Sequence, residues 1–525
     1  MDLKDEIKRI IKGEIVDDSD TLAKYSTDAS IFEILPSMVV YPKDYEDIKS
    51  LIKFITQNPK YNLSLTARSG GTDMSGGAIN DSIILDMTKH FNKILEIGSD
   101  FAKVQPGVYY RDFEKETLKK GLLFPSYPAS KQICTVGGIV ANNAGGEKTL
   151  FYGQTKNYIK SLKIILSDGN EYLIEPILAE NLREKISENN FLGNVYKKIH
   201  QLLEENFELI QKAKPKVHKN SSGYFLWDVW DEKSFDLTKL FTGSQGTLGI
   251  ITEITFKLIK PKPDFALLVI NLDNLNNLDQ IINEVLKFQP ETFECFDDQT
   301  IQYAIKFLPE VREVFSHTLP NFVLMAQFSA DSPQKVLEKC QNTQKNLQVF
   351  NLQSKIIDDP KIEEKYWLIR HESFNLLRKH SSGMRTAPFI DDIIIRPEKL
   401  HIFLPRLKKI LNKYQNYMLY TIAGHIGEGN FHIIPLVDFK NKFIRGKIME
   451  LLKEVVDLVL EFEGSLTAEH NDGLIRGPYL EKVYGENIYQ LFKEVKNIFD
   501  PKDIFNPHKK VDATFKYSLD HVSKT

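Results

Sequence analysis

Two histidines in a glycine-rich stretch are the residues of this chain best suited to metal chemistry. His425 and His432 lie seven positions apart in the sequence GHIGEGNFH, residues 424–432. Neutral imidazole is a common metal ligand, but an odd spacing on a regular strand would send the two rings to opposite faces. Gly427 and Gly429 argue against a helix. We therefore predict a turn followed by a strand, in which the glycines let the backbone fold until both rings converge.

A carboxylate and a third histidine follow at Glu469 and His470. Two histidines and one glutamate make a three-ligand set with an open position, which is how catalytic zinc sites are built. The residues alone therefore predict a divalent metal, with Zn²⁺ as the expected ion, held by His425, His432 and Glu469. The alternative is that these histidines are ordinary core or surface residues.

The composition is that of a globular protein with more than one domain. At 525 residues the chain exceeds a single ordinary core, so roughly two to four domains are expected. Lysine and arginine total 68 against 71 aspartate and glutamate residues, a net charge of −3, which argues against nucleic acid as the main partner. The three cysteines are far apart and odd in number, so a reducing compartment is expected.

The location and assembly of the chain follow less directly. Residues 1–16 show apolar side chains at helical spacing but lack the apolar core of a signal peptide. No uninterrupted apolar stretch is long enough to span a bilayer. We expect a cytoplasmic protein without a transmembrane segment, and we leave open peripheral association with a membrane and a homodimer.

Three glycine clusters suggest a large ligand that is held by several loops. They occupy residues 67–77, 135–146 and 242–250. The first follows a predicted strand–helix–strand, and its backbone N–H groups are expected to turn inward around a phosphate, with Thr72 and Ser75 as candidate hydroxyl donors. No Gly-x-Gly-x-x-Gly follows a strand, so the usual dinucleotide fingerprint is absent. Strands are predicted over residues 37–41, 62–66, 83–86 and 250–258, and helices over residues 1–16, 44–57, 110–120 and 447–462.

The glycine clusters resemble the FAD-binding domain of the vanillyl-alcohol-oxidase-like (PCMH-type) flavoproteins. The chain is similar in particular to the FAD-dependent D-2-hydroxy-acid dehydrogenases, which include D-lactate dehydrogenase, D-2-hydroxyglutarate dehydrogenase and the flavoprotein subunit of glycolate oxidase. The resemblance spans about residues 36–508. It is carried most specifically by residues 135–146, 243–249, 424–432 and 469–470.

The resemblance implies an α+β fold and a division of the chain. An N-terminal helical segment over residues 1–35 would precede an FAD-binding domain over residues 36–260. An α+β substrate (cap) domain would follow over residues 261–465, and a C-terminal helical segment over residues 466–525 would return to the FAD domain. Non-covalent FAD is expected because the glycine clusters contain no histidine. The FAD-contacting residues that the resemblance implies are Ser69, Gly70, Gly71, Thr72, Asp73, Gly77, Thr135, Gly137, Gly138, Asn142, Gly145, Gly246, Ile250 and Asn506.

The resemblance also assigns catalytic roles. Arg370 corresponds to the arginine that binds the substrate carboxylate, and Arg's planar fork suits that task. Arg385 and Arg396 remain alternatives. His470 would act as the general base, since its pKa can lie near neutral pH.

Three residues depart from the family pattern. Asn471 stands where glycine usually follows Glu-His, and His508 stands where glycine usually follows Asn-Pro. Phe374 stands where a hydroxyl residue often helps to hold substrate in D-2-hydroxyglutarate enzymes, which favours a smaller substrate such as D-lactate.

The sequence therefore predicts a flavoprotein that oxidises a D-2-hydroxy acid to the 2-oxo acid by metal-assisted hydride transfer to FAD. The cysteines cannot bind an iron–sulfur cluster, so electrons would pass to a separate acceptor: a quinone, a cytochrome, an electron-transferring flavoprotein, an iron–sulfur subunit or oxygen. Two alternatives remain. One is a zinc-dependent hydrolase, which would leave the glycine clusters without a role; the other is an electron-transfer flavoprotein without its own substrate.

Overall fold

A computed structural model describes residues 3–315, 318–380 and 384–524 of the chain, without the side chains of residues 373–380. Helices and strands alternate along most of this length. The mixed α and β composition predicted from the sequence is confirmed. Among the described helices, none combines the length and the apolar character that crossing a bilayer requires.

Two sheets come mainly from the first half of the chain. Parallel pairing joins Met38–Tyr41 and Leu65–Arg68 to the central strand Ile83–Asp86. Parallel strands need a crossover connection. The amphipathic helix Tyr45–Gln57 provides it between the strands Met38–Tyr41 and Leu65–Arg68. In spatial order, the strands of the first sheet are Glu14–Val16, Met38–Tyr41, Ile83–Asp86 and Leu65–Arg68, and those of the second are Ile94–Ile97, Phe101–Val104, Ile250–Lys257, Ile159–Ile165 and Glu171–Ile174.

The largest sheet comes from the second half of the chain and is antiparallel wherever its strand pairs are defined. In the described residues its strands are, in spatial order, Gln353–Ile357, Asp264–Leu272, Phe322–Ala330, Thr292–Asp297, Ile422–His425, Asn430–Ile433 and Ile393–Ile394. Two short pairs complete the strands: Ile177–Leu178 with Ser234–Phe235, and Arg385–Thr386 with Leu436–Val437.

Helices cover these sheets. Those of the first half are Leu3–Lys8, Ser19–Tyr25, Tyr45–Gln57, Tyr110–Leu118, Val136–Asn142, Thr149–Tyr152, Leu182–Ser187, Phe191–Glu205, Phe207–Ala213 and Thr238–Phe241. Those of the second half are Leu278–Leu286, Asp298–Phe307, Pro333–Leu347, Pro360–His380, Leu400–Asn412, Lys442–Glu461, Gly473–Arg476, Leu480–Tyr484, Glu486–Phe499 and Phe515–Asp520.

The prediction of one helix over residues 1–16 is wrong in its second half. The helix ends at Lys8, and Glu14–Val16 pairs as an edge strand with Met38–Tyr41. At Gly13 the chain passes so close to its neighbour that a Cβ would lie 2.1 Å from the carbonyl oxygen of Tyr41. Local periodicity indicated a helix, but strand pairing with a distant segment decides the conformation.

Candidate active site

Two adjoining cavities lie at the glycine loops, and one of them extends to the large sheet. The first is lined mostly by residues of the three glycine clusters. The second has a volume of about 770 Å³ and reaches the histidines of the large sheet. Their walls share Arg68, Gly70, Gly71, Thr72, Gly138 and Asn142. The structure therefore connects the predicted cofactor loops to the predicted chemical groups.

Most of the predicted FAD-contacting residues line the first cavity: Ser69, Gly70, Gly71, Thr72, Asp73, Gly77, Thr135, Gly137, Gly138, Asn142 and Gly246. The other three, Gly145, Ile250 and Asn506, do not line this cavity. Gly145 faces Glu469, because a Cβ on it would be 3.3 Å from the Cγ of that side chain. Ile250 is fully buried in a hydrophobic core. Asn506 donates a hydrogen bond to the carbonyl oxygen of Gly77 at 2.8 Å, so it supports a glycine loop from outside.

Neighbouring glycines in the helix Val136–Asn142 serve different purposes. A Cβ on Gly137 would lie 2.5 Å from the Cβ of Pro106, so close packing requires glycine there. A Cβ on Gly138 would meet only the hydroxyl oxygens of Thr135 and Ser69, at 3.5 and 3.7 Å. The backbone at Gly138 is thus open towards both cavities, as a flat or extended ligand would need.

Asp73 shapes the first glycine loop. Its Oδ2 accepts hydrogen bonds from the backbone N–H of Ser75 at 2.9 Å and of Gly77 at 2.6 Å. Its Oδ1 accepts from the side-chain amide of Asn142 at 2.8 Å, which ties the first cluster to the second. The fully buried Ser75 hydroxyl donates to Asp73 at 2.8 Å, so in this structure Ser75 supports the loop through Asp73.

The predicted metal ligands converge. The strands Ile422–His425 and Asn430–Ile433 pair as a hairpin around a short 3₁₀ turn, so a strand precedes the predicted turn as well as following it. The ring centroids of His425 and His432 are 5.1 Å apart. Together with Glu469, these two histidines offer ligand atoms that all lie within 4.8 Å of one another.

Buried carboxylates set the orientation of the histidine rings. Glu294 Oε1 lies 2.7 Å from Nδ1 of His425. The two oxygens of Asp391 lie 3.2 Å from Nδ1 of His432 and 2.6 Å from Nδ1 of His470. A carboxylate at Nδ1 favours the proton on that nitrogen. In the neutral ring Nε2 is then unprotonated, and its electron pair can bind a metal or accept a proton. These rings therefore fit a divalent metal at His425 and His432, and a proton acceptor at His470.

Asp392 fixes the backbone of the Glu469–His470 pair. Its Oδ2 accepts hydrogen bonds from the N–H groups of Glu469 at 2.8 Å and of His470 at 2.7 Å, and from the hydroxyl of Thr467 at 2.6 Å. The side-chain amide of Asn430 binds the other oxygen at 3.1 Å. One fully buried side chain thus connects the histidine hairpin to the segment that carries the carboxylate ligand and the base.

Charge within the site is balanced by buried partners. Lys219 is 2% exposed, and its ammonium group contacts the carboxylates of Glu469 and Glu428. Although burial raises the pKa of Glu469, Lys219 and His425 hold that pKa well below its ordinary value. Burial lowers the pKa of His470, but neighbouring carboxylates raise it to about 9, so the ring must release its Nε2 proton before it can accept one from a substrate. Glu469 is thus ionised, as a metal ligand must be.

Arg370 lines the second cavity and is 4% exposed. Its Nε and one terminal nitrogen each lie 2.9 Å from Oε2 of Glu294. Although burial raises the pKa of Glu294, His425 and Arg370 keep it below its ordinary value. The guanidinium group is therefore held beside the predicted metal ligands.

The two alternative arginines lie elsewhere. Arg385 is exposed and donates to the hydroxyl of Ser523 at 3.1 Å. Arg396 pairs with Glu463 at 3.3 Å, outside both cavities. Of the three candidates, the geometry favours Arg370. The side chain of Phe374 lies outside the described residues.

Two departures from the family pattern share a backbone conformation. Asn471 and His508 both have φ of +67°. This is the left-handed region, which glycine adopts without steric strain and asparagine tolerates. The side chain of Asn471 donates to the carbonyl oxygens of Asn142 and Gly243 at 3.2 and 2.8 Å. The ring of His508 stacks on Tyr517 at 4.0 Å. Each side chain thus gains contacts that a glycine would lack.

Sequence reasoning missed Glu294 as a site residue and left Asp391, Asp392 and Lys219 without roles. Asp391 and Asp392 stand directly before three isoleucines, residues 393–395, and Lys219 begins the short polar motif Lys-Asn-Ser-Ser-Gly-Tyr. Those motifs were the signal that could have identified them. Nothing around Glu294 distinguishes it from an ordinary strand residue.

Two known families match the chain. The FAD binding domain matches residues 36–173, and the C-terminal domain of FAD linked oxidases matches residues 262–510. A D-2-hydroxyglutarate dehydrogenase of Pseudomonas putida is 27% identical over 518 residues, which cover 95% of this chain and 50% of that protein. A D-lactate dehydrogenase of Archaeoglobus fulgidus is 26% identical over 480 residues, which cover 90% of this chain and 91% of that protein. The chain thus spans about half the length of the first relative and most of the second.

Solved structures support the predicted architecture. The structure of p-cresol methylhydroxylase with substrate bound matches with a TM-score of 0.70, covering 97% of this chain and 96% of that one. The sequences are 15% identical, so this similarity bears on the fold alone. It confirms the predicted PCMH-type architecture.

Proposed function

We propose that this chain oxidises a D-2-hydroxy acid the size of D-lactate to the 2-oxo acid, because it matches both an FAD binding domain and the C-terminal domain of FAD linked oxidases. Electrons would then pass to a separate acceptor. The observation that carries this proposal is that Arg370, His425, Glu469 and His470 line one cavity with Gly138 of the cofactor loops. D-lactate and D-2-hydroxyglutarate dehydrogenases among the relatives support the substrate class.

FAD, when bound along the glycine loops, supplies the hydride acceptor. The protein's task is to orient the substrate towards it. Arg370 pairs with the substrate carboxylate and fixes the position of C2.

The donor set of His425, His432 and Glu469 fits a divalent metal, and two nitrogens with one carboxylate favour Zn²⁺. Such an ion supplies a Lewis acid that lowers the pKa of a substrate hydroxyl. His470 accepts the hydroxyl proton at Nε2, because its Nδ1 faces Asp391 at 2.6 Å. The hydroxyl proton would thus go to His470 and the hydride from C2 to FAD, and the hydroxy acid would become the 2-oxo acid.

The zinc-hydrolase alternative accounts for the histidines but leaves the matched FAD-binding domain without a role. An electron-transfer subunit without its own substrate would have no use for Arg370 beside His425 and His470. We therefore favour the dehydrogenase. Non-covalent attachment of FAD and a cytoplasmic location belong to the same proposal, which leaves open a homodimer and peripheral association with a membrane.

Anaerobic absorbance spectroscopy tests the proposal directly. D-lactate, glycolate, D-2-hydroxyglutarate and the L-isomers are added in turn to the FAD-loaded protein, and bleaching of the flavin band by one D-acid is expected. A flavin band that none of them bleaches would contradict the proposed substrate class.

Two variants then test the roles of the residues. His470→Ala should retain FAD and metal but lose rapid flavin reduction, since the proton acceptor is gone. Glu469→Gln should lower the metal content measured by elemental analysis. Rapid reduction in the first variant, or unchanged metal in the second, would overturn the corresponding assignment.

A further inference from the structure

Glu294 is a buried carboxylate that joins two parts of the site with separate tasks. It is 1% exposed and lies on the strand Thr292–Asp297. Oε1 lies 2.7 Å from Nδ1 of His425, and Oε2 lies 2.9 Å from both Nε and a terminal nitrogen of Arg370. One carboxylate therefore contacts both the proposed metal ligand and the proposed carboxylate clamp.

We infer that Glu294 is a positioning residue that couples metal binding at His425 to binding of the substrate carboxylate at Arg370. This inference rests on the proposed function. The metal site and the carboxylate site are then coupled. A carboxylate bound at Arg370 tightens metal binding, and the metal tightens binding of the carboxylate by the same factor, because such coupling is reciprocal.

The sign of the coupling follows from competition for one negative charge. Arg370 and His425 both donate to Glu294. When a substrate carboxylate engages Arg370, the guanidinium group shares its positive charge with a second anion and draws less on Glu294. Glu294 then accepts more strongly from Nδ1 of His425, which makes Nε2 a better electron donor to a metal.

The amide of glutamine cannot replace this carboxylate, because it has one acceptor oxygen and one donor nitrogen. If the amide oxygen of the Glu294→Gln variant faced Arg370, its NH₂ group would face Nδ1 of His425 and move the ring proton to Nε2. If the amide oxygen faced His425 instead, the NH₂ group would face the donors of Arg370. Glu294→Gln is therefore expected to weaken Zn²⁺ binding by about 10- to 100-fold.

The test uses the FAD-loaded protein, stripped of metal and titrated with Zn²⁺ against a chromogenic chelator, with and without acetate. Acetate carries the carboxylate that Arg370 would bind but no hydroxyl group. In the wild type, acetate should lower the Zn²⁺ dissociation constant by roughly fivefold. In Glu294→Gln the part of this effect that passes through Glu294 should vanish, whereas any direct contact between acetate and the metal is retained.

Glu291→Gln provides the matched control. Glu291 is equally buried, lies next to the same strand, and contacts Lys148 and Tyr152. Its variant removes a buried charge and a long-range ion pair without touching His425 or Arg370. It should bind Zn²⁺ and respond to acetate like the wild type.

Arg370→Gln supplies a second variant, whose effect has the opposite sign. With the guanidinium group removed, Glu294 no longer accepts hydrogen bonds from Arg370 and accepts more strongly from His425. Zn²⁺ binding should therefore tighten and become insensitive to acetate. The inference is overturned if Glu294→Gln keeps wild-type Zn²⁺ affinity or acetate response, or if Arg370→Gln weakens Zn²⁺ binding. Failure of every D-2-hydroxy acid to reduce the flavin would instead overturn the proposed function, and the two failures are distinguishable.

Discussion

Replacing Gly138 by alanine should separate cofactor binding from folding. Gly138 lies within the helix Val136–Asn142, and a Cβ there meets only the oxygens of Thr135 and Ser69 at 3.5 and 3.7 Å. Alanine is favoured over glycine inside a helix by roughly 0.5–1 kcal/mol. The free energy of unfolding of the FAD-free variant should therefore rise by about that amount.

The added methyl group of the Gly138→Ala variant has the opposite effect on the cofactor. It projects into the space shared by the two cavities, which FAD would fill. Overpacking of a filled site costs about 1–3 kcal/mol, and about 1.4 kcal/mol corresponds to a factor of ten in affinity. The FAD dissociation constant should therefore rise by roughly 5- to 150-fold.

The assay combines urea unfolding of the FAD-free protein with titration of FAD, followed by quenching of flavin fluorescence. Gly446→Ala is the control, because Gly446 is exposed within the helix Lys442–Glu461 and a Cβ there meets nothing within 4 Å. It should gain helix stability and bind FAD normally. If Gly138→Ala binds FAD as tightly as the wild type, or loses FAD only together with stability, the reasoning is refuted.

Three further predictions concern other parts of the site. Arg370→Lys should raise the KM for the D-2-hydroxy acid by roughly 10- to 100-fold in steady-state kinetics with little change in FAD content, because an ammonium group cannot bind both carboxylate oxygens in one plane as a guanidinium group does. An unchanged KM would assign the substrate carboxylate to another residue. Asp391→Asn should lower the rate of flavin reduction by roughly 10- to 100-fold in stopped-flow measurements, since His470 loses the carboxylate at its Nδ1, and a wild-type rate would contradict this. Burial raises the pKa of Asp28 from 3.8 to about 7. The folded state therefore binds the proton more tightly than the unfolded state, and the free energy of unfolding falls as pH rises from about 4 to 7. Asp28→Asn should lose less stability than the wild type between about pH 5 and pH 8 in urea unfolding, and an equal loss would refute the assignment.

The helices and strands with strong local signals were predictable. The helix Tyr45–Gln57 has Ile48, Leu51, Ile52 and Ile55 on one buried face, which is the periodicity that the sequence shows. Where local signals conflicted with distant pairing, prediction failed. Residues 14–16 form an edge strand because a partner lies beside them, and a helical pattern of side chains carries no information about that partner.

The chemistry of the site divides in the same way. The residue types of His425, His432 and Glu469, and the glycines between the first two, predicted a set of metal ligands, and the resemblance to a known family assigned the base to His470. The structure brings these side chains together. Their roles in metal binding and proton transfer stay predictions, which the variants above are designed to test.

The sequence by itself determined which groups are available: three glycine clusters without the usual dinucleotide fingerprint, two histidines in a glycine-rich stretch, and a Glu-His pair. Only the tertiary structure decided how these groups are held. Glu294 lies 131 positions from His425, and Lys219 lies 250 positions from Glu469, yet each pair is in contact. Spacing along the chain encodes helix faces and strand faces over a few residues, whereas contacts across such separations exist only because distant strands pack into one fold. Those contacts orient the histidine rings and set the charge balance on which the proposed chemistry depends.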